Sequence, residues 1–541
     1  MNILQIIKEK IFKRNKLERL SDDPKGTRHI FINDEEKRKE WEIKENKVWY
    51  IGIDSELLNH YTERKSVSFL DNPVYNRNTQ QYFWAKSALE IQIKRIHSPV
   101  AHIVCETISN IVGNPLVNVL MKDETGKDVD VTEVWNKIAD ENDFANKLTQ
   151  QSRPMTLAVG FGAWKVNINP DLCDYPLVEY YDAEFVKYIY ESGLLVGIIF
   201  KTFYKDAKGK DYVLLETRYI ENKNSHIDYS FYILKANDEL EELSMEKAKE
   251  LFGIEKENQV IYGLNKILAV PSRFFYDALN QQYGRSILAG KIGLLDFYDE
   301  IWSQASQTNR VSTPVEYYSK DVIGRDSNGF PSVPNAYNRQ FIMKDGIPNG
   351  DGTINNDVFT TQPDLNFDKY ATLADNVLRN ILNGVLSPAT LGIDVAKKDN
   401  ADAQREKEKV SIETRNNIIV KETKEIRELV TICLMLQEYI KNGVITLRDY
   451  DIQVKYNEFA NPSFENELQI LGQAWANGEI STEKYVDLLW QDKITEDDKK
   501  KEIAWLDSNR QQFDMESILN GNGEPIKPDV QSTEEGEEIP S

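Results

Sequence analysis

Cysteine and histidine are scarce in this chain. It has three cysteines and five histidines among 541 residues, and the cysteines lie far apart at positions 105, 173 and 433. An odd number of widely spaced cysteines excludes a disulfide framework and favours reduced thiols inside a cell. His102, Cys105 and Glu106 fall within one helical turn, but a fourth ligand is not available and the other histidines form no spacing pattern. No metal site is therefore predicted.

Long apolar runs are also missing. No stretch reaches the length of about 18 apolar residues that a membrane-spanning helix needs, so no membrane partner is expected. Residues 1–20 place apolar side chains before the charged ones, which is the reverse of a signal peptide. Together with the reduced thiols, these features favour a cytosolic or intracellular protein.

Catalytic motifs are the third absence. The sequence has no G-x-S-x-G, no H-E-x-x-H and no paired-cysteine zinc pattern. The nearest match to a phosphate-binding loop runs from Gly284 to Ile292, but its glycines are separated by one residue too many and it lacks the Ser/Thr that binds magnesium. We predict no catalytic residue, no cofactor and no enzyme activity. A nuclease that uses scattered carboxylates and a divalent metal is the enzymatic alternative.

Charge of one sign is plentiful. The chain has 88 acidic against 66 basic residues, a net charge of −22. Such a balance argues against a protein that grips nucleic acid over its whole surface. It is compatible with a protein that DNA must slide past. Each cation that contacts a phosphate strengthens salt-dependent binding, and a protein that DNA slides past has to avoid such binding.

Periodicity divides the chain into helical and strand-rich parts. Residues 84–112 are predicted to be helical and to end at a Gly-Asn-Pro stop signal. Residues 162–234 alternate β-branched and aromatic side chains between short polar turns, which predicts an antiparallel meander. A helix is expected from about 400 to 440, and Ser481 is the expected N-cap of a further helix at 481–491.

Two predicted helices, 286–308 and 368–385, have unusually broad apolar faces. The apolar side chains of the first cover roughly 200° of its surface, against the ~100° of an ordinary amphipathic stripe. One interpretation is a ring of packed helices around a water-filled channel, and the other is a core helix with one solvated edge. The opposite side of the first helix carries a narrow strip of Gly293, Asp296, Glu300 and Ser303. The residues expected to pack between helices are Leu288, Ile292, Leu295, Trp302, Leu373, Val377 and Ile381.

A locally basic loop follows the second of these helices. It contains Pro388 and Gly392, which supply mobility, and then Lys397 and Lys398. These two lysines either contact a DNA backbone transiently or form the solvated entry to the next helix.

The order of these elements resembles that of the portal proteins of tailed bacteriophages, in particular of long-tailed phages of Gram-positive hosts. The segments that carry the resemblance span about residues 50–505. They are SELLNHYTERKS, HSPVAHIVCETISNIVGNPLV, YGRSILAGKIGLLDFYDEIWS, VLSPATLGIDVAKKDNADAQREKEKVSIETR and NGEISTEKYVDLL.

The resemblance implies an α+β, mainly helical fold with wing, stem, clip and crown regions. The expected divisions are a basic N-terminal arm (1–45), a wing (46–285), a stem helix (286–308), a clip (309–367), a second stem helix (368–385), a tunnel loop (386–400), a helical crown (401–515) and a disordered acidic tail (516–541). Neighbouring subunits would pack through the broad apolar faces, and Asp296 and Glu300 would line the channel. Lys397 and Lys398 would lie in the tunnel loop, close to DNA.

The implied function is structural. The subunits would form a ring, typically of twelve, at one capsid vertex, through which double-stranded DNA is packaged and ejected. The implied partners are the terminase large subunit, a head-completion protein, and the major capsid and scaffolding proteins. A virion adaptor or scaffold without a DNA channel is the non-enzymatic alternative.

Overall fold

A computed structural model describes most of the chain between residues 27 and 525. Its described residues are 27–62, 82–86, 93–122, 127–234, 240–278, 283–312, 315–319, 327–329, 340–344, 347–348, 354–355, 359–361, 366–393, 401–445, 448–457, 471–473, 475, 480–490, 496–509, 519–520 and 524–525. The structure is mixed, with 49% helix and 24% strand. The prediction of a mainly helical fold was therefore wrong, because antiparallel sheets supply a large part of the framework.

Helices occur along the whole described length. They are α1 (Thr27–Ile51), α2 (Asp54–Thr62), α3 (Val100–Val112), α4 (Thr132–Glu141), α5 (Phe144–Asn146), a π-turn (Lys147–Ser152), α6 (Arg153–Val159), α7 (Met245–Phe252), α8 (Ile292–Val311), α9 (Phe367–Leu382), a 3₁₀ turn (Pro388–Leu391), α10 (Ala401–Asn442), α11 (Thr482–Trp490) and α12 (Glu496–Asn509).

Strands fill the region between α3 and α8 and recur after it. They are β1 (Pro115–Lys122), β2 (Asp128–Asp130), β3 (Gly162–Asn167), β4 (Leu177–Asp182), β5 (Val186–Glu191), β6 (Leu194–Lys205), β7 (Asp211–Glu221), β8 (Asn224–Leu234), β9 (Leu240–Leu243), β10 (Gln259–Ile261), β11 (Ala269–Ser272), β12 (Val315–Ser319), β13 (Gln340–Lys344), β14 (Ile347–Pro348), β15 (Ile354–Asn355), β16 (Phe359–Thr361), β17 (Tyr450–Tyr456), β18 (Leu519–Asn520) and β19 (Glu524–Pro525).

The predicted meander is confirmed for β5 to β8. These strands are consecutive antiparallel neighbours in one sheet, which β10 and β9 extend. Two-residue turns join β5 to β6 and β7 to β8, and all four turn residues have positive φ: Ser192 (50°), Gly193 (83°), Asn222 (51°) and Lys223 (63°). Turns of this hand match the twist of the flanking strands. β3 and β4 instead form a separate sheet with β11.

Several predicted boundaries were wrong. The helix expected from residue 84 begins at Val100, and residues 93–99 are irregular. Helix α1 was not predicted, although it overlaps the expected arm 1–45. Strand β17 lies inside the segment predicted to be a helical crown, where it pairs antiparallel with β1. Because β1 and β17 are more than 300 residues apart in sequence, no local pattern could pair them.

The chain divides into two compact units. Residues 1–396 and 407–457 form the first unit, and residues 397–406 and 458–541 form the second. In the second unit α11 and α12 share a small core of Trp475, Tyr485, Val486, Leu489 and Leu506. Ser481 is confirmed as the N-cap of α11, since its Oγ accepts the amide of Lys484 at 3.2 Å.

A buried ion pair joins distant parts of the first unit. The Arg153 guanidinium donates to both carboxylate oxygens of Glu422 at 2.8 Å, and both side chains are inaccessible to solvent. Arg153 also donates to the carbonyls of Ser109 and Gly113, each at 3.0 Å. Tyr456 OH donates to Glu422 at 2.8 Å. This one network therefore connects α3, α6, α10 and β17.

Candidate functional site: the α8/α9 helix pair

Helices α8 and α9 pack as an antiparallel pair. Near the start of α8, Lys291 Nζ donates to the carbonyl of Asn383 at 2.8 Å, just after the end of α9. Near the end of α8, Thr308 Oγ1 and Tyr370 OH lie 3.2 Å apart, close to the start of α9. The lysine satisfies carbonyls that a helix end leaves without intrahelical partners. Strands β12 to β16 lie in the segment that joins the two helices.

Most of the predicted packing residues are buried within one chain. Leu288, Ile292, Leu295, Val377 and Ile381 are between 1% and 7% exposed and belong to a core that includes side chains of α1, α3 and α6. The prediction that these residues remain available to neighbouring subunits was therefore wrong. The two helices cover each other's apolar faces, and α1 and α3 contribute to the same core.

The remaining two predicted packing residues differ from these. Trp302 is partly buried and packs against Phe367, with 6.2 Å between ring centroids. Leu373 is 42% exposed, as is Phe367, while Phe297 on α8 is 40% exposed. We call Phe297, Phe367 and Leu373 the outer apolar residues of the pair. Leu373 is the one predicted packing residue that a single chain leaves exposed, and Phe297 and Phe367 are further exposed apolar residues of the same two helices.

Asp296 does not lie on a solvated strip. It is 5% exposed, and its carboxylate accepts hydrogen bonds from the backbone amides of Phe83 at 2.7 Å and Trp84 at 3.1 Å. The prediction that Asp296 lines a channel was wrong, because an irregular segment of the same chain covers it. Within this segment, residues 84–86 and 93–98 belong to the stretch 84–112 that was expected to be helical.

Asp299 and Ser303 continue this contact along α8. The Asp299 carboxylate accepts hydrogen bonds from Trp84 Nε1 at 3.0 Å and from the Ser98 amide at 2.9 Å. It also lies 2.7 Å from His97 Nδ1. Ser303 Oγ accepts the Ile96 amide at 2.9 Å. Because the amides of Phe83, Trp84, Ile96 and Ser98 lie outside regular helices and strands, these α8 side chains act as their hydrogen-bond acceptors.

We call Asp296, Asp299 and Ser303 the docking strip of α8, and sequence reasoning missed it. The available signal was the spacing of Asp296, Asp299 and Ser303, at i, i+3 and i+7, which puts the three on one helix face. The sequence pattern instead predicts a solvated strip that contains Asp296 and Ser303, and it does not single out Asp299.

Glu300 lies at the edge of the covered strip. It is partly buried and 3.8 Å from Lys86 Nζ, and it accepts Gln304 Nε2 at 3.1 Å. Its carboxylate is therefore partly neutralised within the same chain. The predicted continuous acidic strip is reduced to this one partly exposed group.

The covered carboxylates bind protons more readily than exposed ones. Burial raises the pKa of Asp296 to about 6, although its two backbone hydrogen bonds act in the opposite direction. Nearby, burial raises the pKa of Glu45 to about 7, while the hydrogen bond from Tyr61 lowers it. The site can therefore take up protons close to neutral pH.

The two lysines predicted to lie close to DNA, Lys397 and Lys398, lie outside the described residues. Glu106 accepts a hydrogen bond from Tyr50 OH at 2.8 Å, and burial raises the pKa of the Cys105 thiol. Across the described ranges, no three His, Cys, Asp or Glu side chains converge as a metal ion requires. No helix in the described part of the chain is long and apolar enough to cross a bilayer.

Comparison with known proteins leaves the family open. No protein-family model matches the chain, and no curated protein matches it.

Proposed function

We propose that this protein is the subunit of a portal-type ring that conducts double-stranded DNA at one vertex of a phage capsid. The support comes from the order of elements. An antiparallel helix pair flanks a segment that contains short strands, and the 3₁₀ turn (Pro388–Leu391) and the 42-residue helix α10 follow in sequence. That order matches the stem, clip, tunnel loop and long helix expected from the resemblance.

The observation that carries the proposal is the outer surface of the helix pair. Phe297, Phe367 and Leu373 are each at least 40% exposed on helices whose other faces are already covered. Apolar side chains left open on a rigid helix pair are suited to packing against another copy. In the ring, these residues take the role first expected of the whole broad faces.

The charge of the chain suits a conduit. A net charge of −22 per subunit, repeated around a ring, repels phosphate and limits friction on moving DNA. The proposed ring has no catalytic role of its own, and the terminase large subunit would supply the energy. Head-completion, capsid and scaffolding proteins are its other proposed partners, in the host cytoplasm during assembly and in the virion afterwards.

The test is the state of the purified full chain. Native mass measurement should give a closed oligomer near twelve copies, and class averages viewed down the axis should show a hole wide enough for duplex DNA. A chain that stays monomeric at high concentration would overturn the proposal. A closed particle with no hole would instead favour an adaptor or scaffold.

A further inference from the structure

A concave surface in the first unit combines an apolar floor with cationic walls. It lies where the segment after β11 meets the exposed side of α10. Val420 and Tyr276 are unusually open there, at 67% and 53% exposed. We call it the basic groove; its lining residues are Phe274, Phe275, Tyr276, Arg285, Asn417, Val420 and Lys421.

The cations of the groove are held by aromatic rings. Lys421 Nζ lies 5.0 Å and the Arg273 guanidinium 4.7 Å from the centroid of the Tyr276 ring, and Arg285 lies 5.8 Å from that of Phe275. Among the described residues, neither Arg285 nor Lys421 forms an ion pair with a carboxylate. Elsewhere on this acidic chain exposed cations do pair, as Arg379 does with Asp375 at 2.9 Å.

An exposed turn between β3 and β4 has the complementary character. Leu172 is 76% exposed and stands between Asp171 and Asp174, which are also exposed. The turn is internally bonded: the Leu172 and Cys173 amides donate to the carbonyl of Asn169 at 3.0 and 3.1 Å. We call residues 171–174 the acidic knob.

Helix α10 carries both features. Gln437 Nε2 donates to the carbonyl of Asp174 at 2.8 Å, which ties the knob to the C-terminal part of α10. The groove residue Lys421 is 16 positions earlier on the same helix, about 24 Å along its axis. A knob therefore cannot reach the groove of its own chain without refolding.

We infer that the acidic knob of one copy docks into the basic groove of the next copy. Leu172 covers Val420 and Phe275, while Asp171 and Asp174 pair with Arg285 and Lys421. Because knob and groove are different surfaces, the contact is head-to-tail, and such contacts close into rings when the rotation permits. The inference rests on the proposed function, since it names one contact of the proposed ring.

A second copy fits this groove better than nucleic acid does. Arg273 and Lys421 both lie against the Tyr276 ring, so a base that stacked on this ring would compete with them. The apolar floor offers nothing to a phosphate, whereas a leucine side chain fills it. The net charge of −22 also repels a polyanion at long range.

Charge reversal of the two surfaces tests the contact. One variant carries Arg285→Asp and Lys421→Asp, and the other carries Asp171→Lys and Asp174→Lys. Each alone should raise the concentration needed for half-assembly by about thirtyfold or more, since a paired interface anchor is lost. An equimolar mixture should assemble again as alternating copies, because every junction then joins opposite charges. Lys208→Asp with Lys256→Asp is the matched control, since both lysines are exposed and lie outside the groove.

Native mass measurement and circular dichroism separate the outcomes. Rescue in the mixture cannot come from misfolded subunits, so it establishes the contact. Variants that assemble like wild type, or a folded mixture that fails to assemble, would overturn the inference while the ring itself stands. A groove variant that assembles normally but loses binding to a duplex oligonucleotide would assign the groove to nucleic acid instead. A closed assembly without a hole would overturn the proposed function and leave the contact intact.

Discussion

Arg153 illustrates how much a single buried residue can determine. Its guanidinium is fully enclosed, pairs with Glu422 through two bonds and satisfies two backbone carbonyls at the end of α3. Loss of one partner leaves an uncompensated charge inside the protein, which costs more than the pair itself contributes. Glu425, one turn further along α10, accepts Trp164 Nε1 and is also buried.

Arg153→Met should lower the free energy of unfolding by about 3–5 kcal/mol, because it strands the Glu422 carboxylate. The double variant Arg153→Met, Glu422→Leu should lose less than the single variant, since no buried charge remains. Urea unfolding followed by circular dichroism measures both.

Arg379→Met is the control for this change. Arg379 pairs with Asp375 at a half-exposed site, so its loss should cost at most about 1 kcal/mol. An Arg153→Met protein as stable as this control would contradict a structural role for the buried pair.

Stability should also depend on the protonation of Glu425. Burial, and next the charge of Glu422, raise the pKa of Glu425 from 4.5 to about 8. Between these values the folded chain holds a proton that the unfolded chain has released. The stabilisation from this group is therefore complete below pH 4.5 and is lost as the pH rises through 8.

Glu425→Gln should remove this dependence. Between about pH 5 and 8 the free energy of unfolding of the wild type should fall relative to that of the variant, by on the order of 2 kcal/mol. Denaturant titrations across that range measure the difference. Glu413→Gln, an exposed change on the same helix, should follow the wild-type profile. Parallel profiles for wild type and Glu425→Gln would refute the assignment.

At the scale of elements, the docking strip on α8 determines where residues 82–86 and 93–98, the described parts of segment 82–98, lie. Asp296, Asp299 and Ser303 supply acceptors for the amides of Phe83, Trp84, Ser98 and Ile96. Ring contacts add to them, since His97 packs against Trp84 and Trp49 at 6.1 and 5.5 Å between centroids. One helix therefore organises an irregular stretch more than 200 residues earlier in the chain.

Asp296→Ala should release this stretch locally. The amides of Phe83 and Trp84 lose their acceptor in a buried site, so their hydrogen exchange should accelerate by about tenfold or more. Exchange measured by mass spectrometry on peptides from residues 82–98 reports the change. Glu300→Ala, at the edge of the same helix, should leave those peptides unchanged, and equal effects of the two variants would show that the strip does not hold the segment.

At the scale of the whole molecule, the exposed apolar residues decide how copies meet. The broad faces of α8 and α9 are largely covered within one chain, so association depends on Phe297, Phe367 and Leu373 together with the knob and groove. These patches are rigid, because helices and a hydrogen-bonded turn carry them. A rigid contact loses little entropy on binding.

Phe297→Glu combined with Leu373→Glu should shift the purified protein from oligomer to monomer at a fixed concentration. The reason is the cost of desolvating two carboxylates at an apolar contact. Native mass measurement gives the populations, and thermal unfolding checks that the subunit stays folded. Leu194→Glu, at a 72% exposed position on β6, should assemble normally. Full assembly of the double variant would exclude the outer apolar residues from the interface.

The sequence by itself determined the local elements. Alternation and short polar turns predicted the meander that β5 to β8 form. Broad apolar periodicity located both ends of α9 and the last residue of α8 to within about three residues, but α8 begins at Ile292, later than the predicted start at residue 286. Those signals act over neighbouring residues, where steric preference and side-chain spacing are enough. Only the tertiary structure decided what covers each face. A periodic pattern states that a surface is buried but not against what, so it could not tell a neighbouring copy from α1, α3 and segment 82–98. The pairing of β1 with β17 and the burial of Asp296 are likewise contacts between distant parts of the chain, which no local pattern encodes.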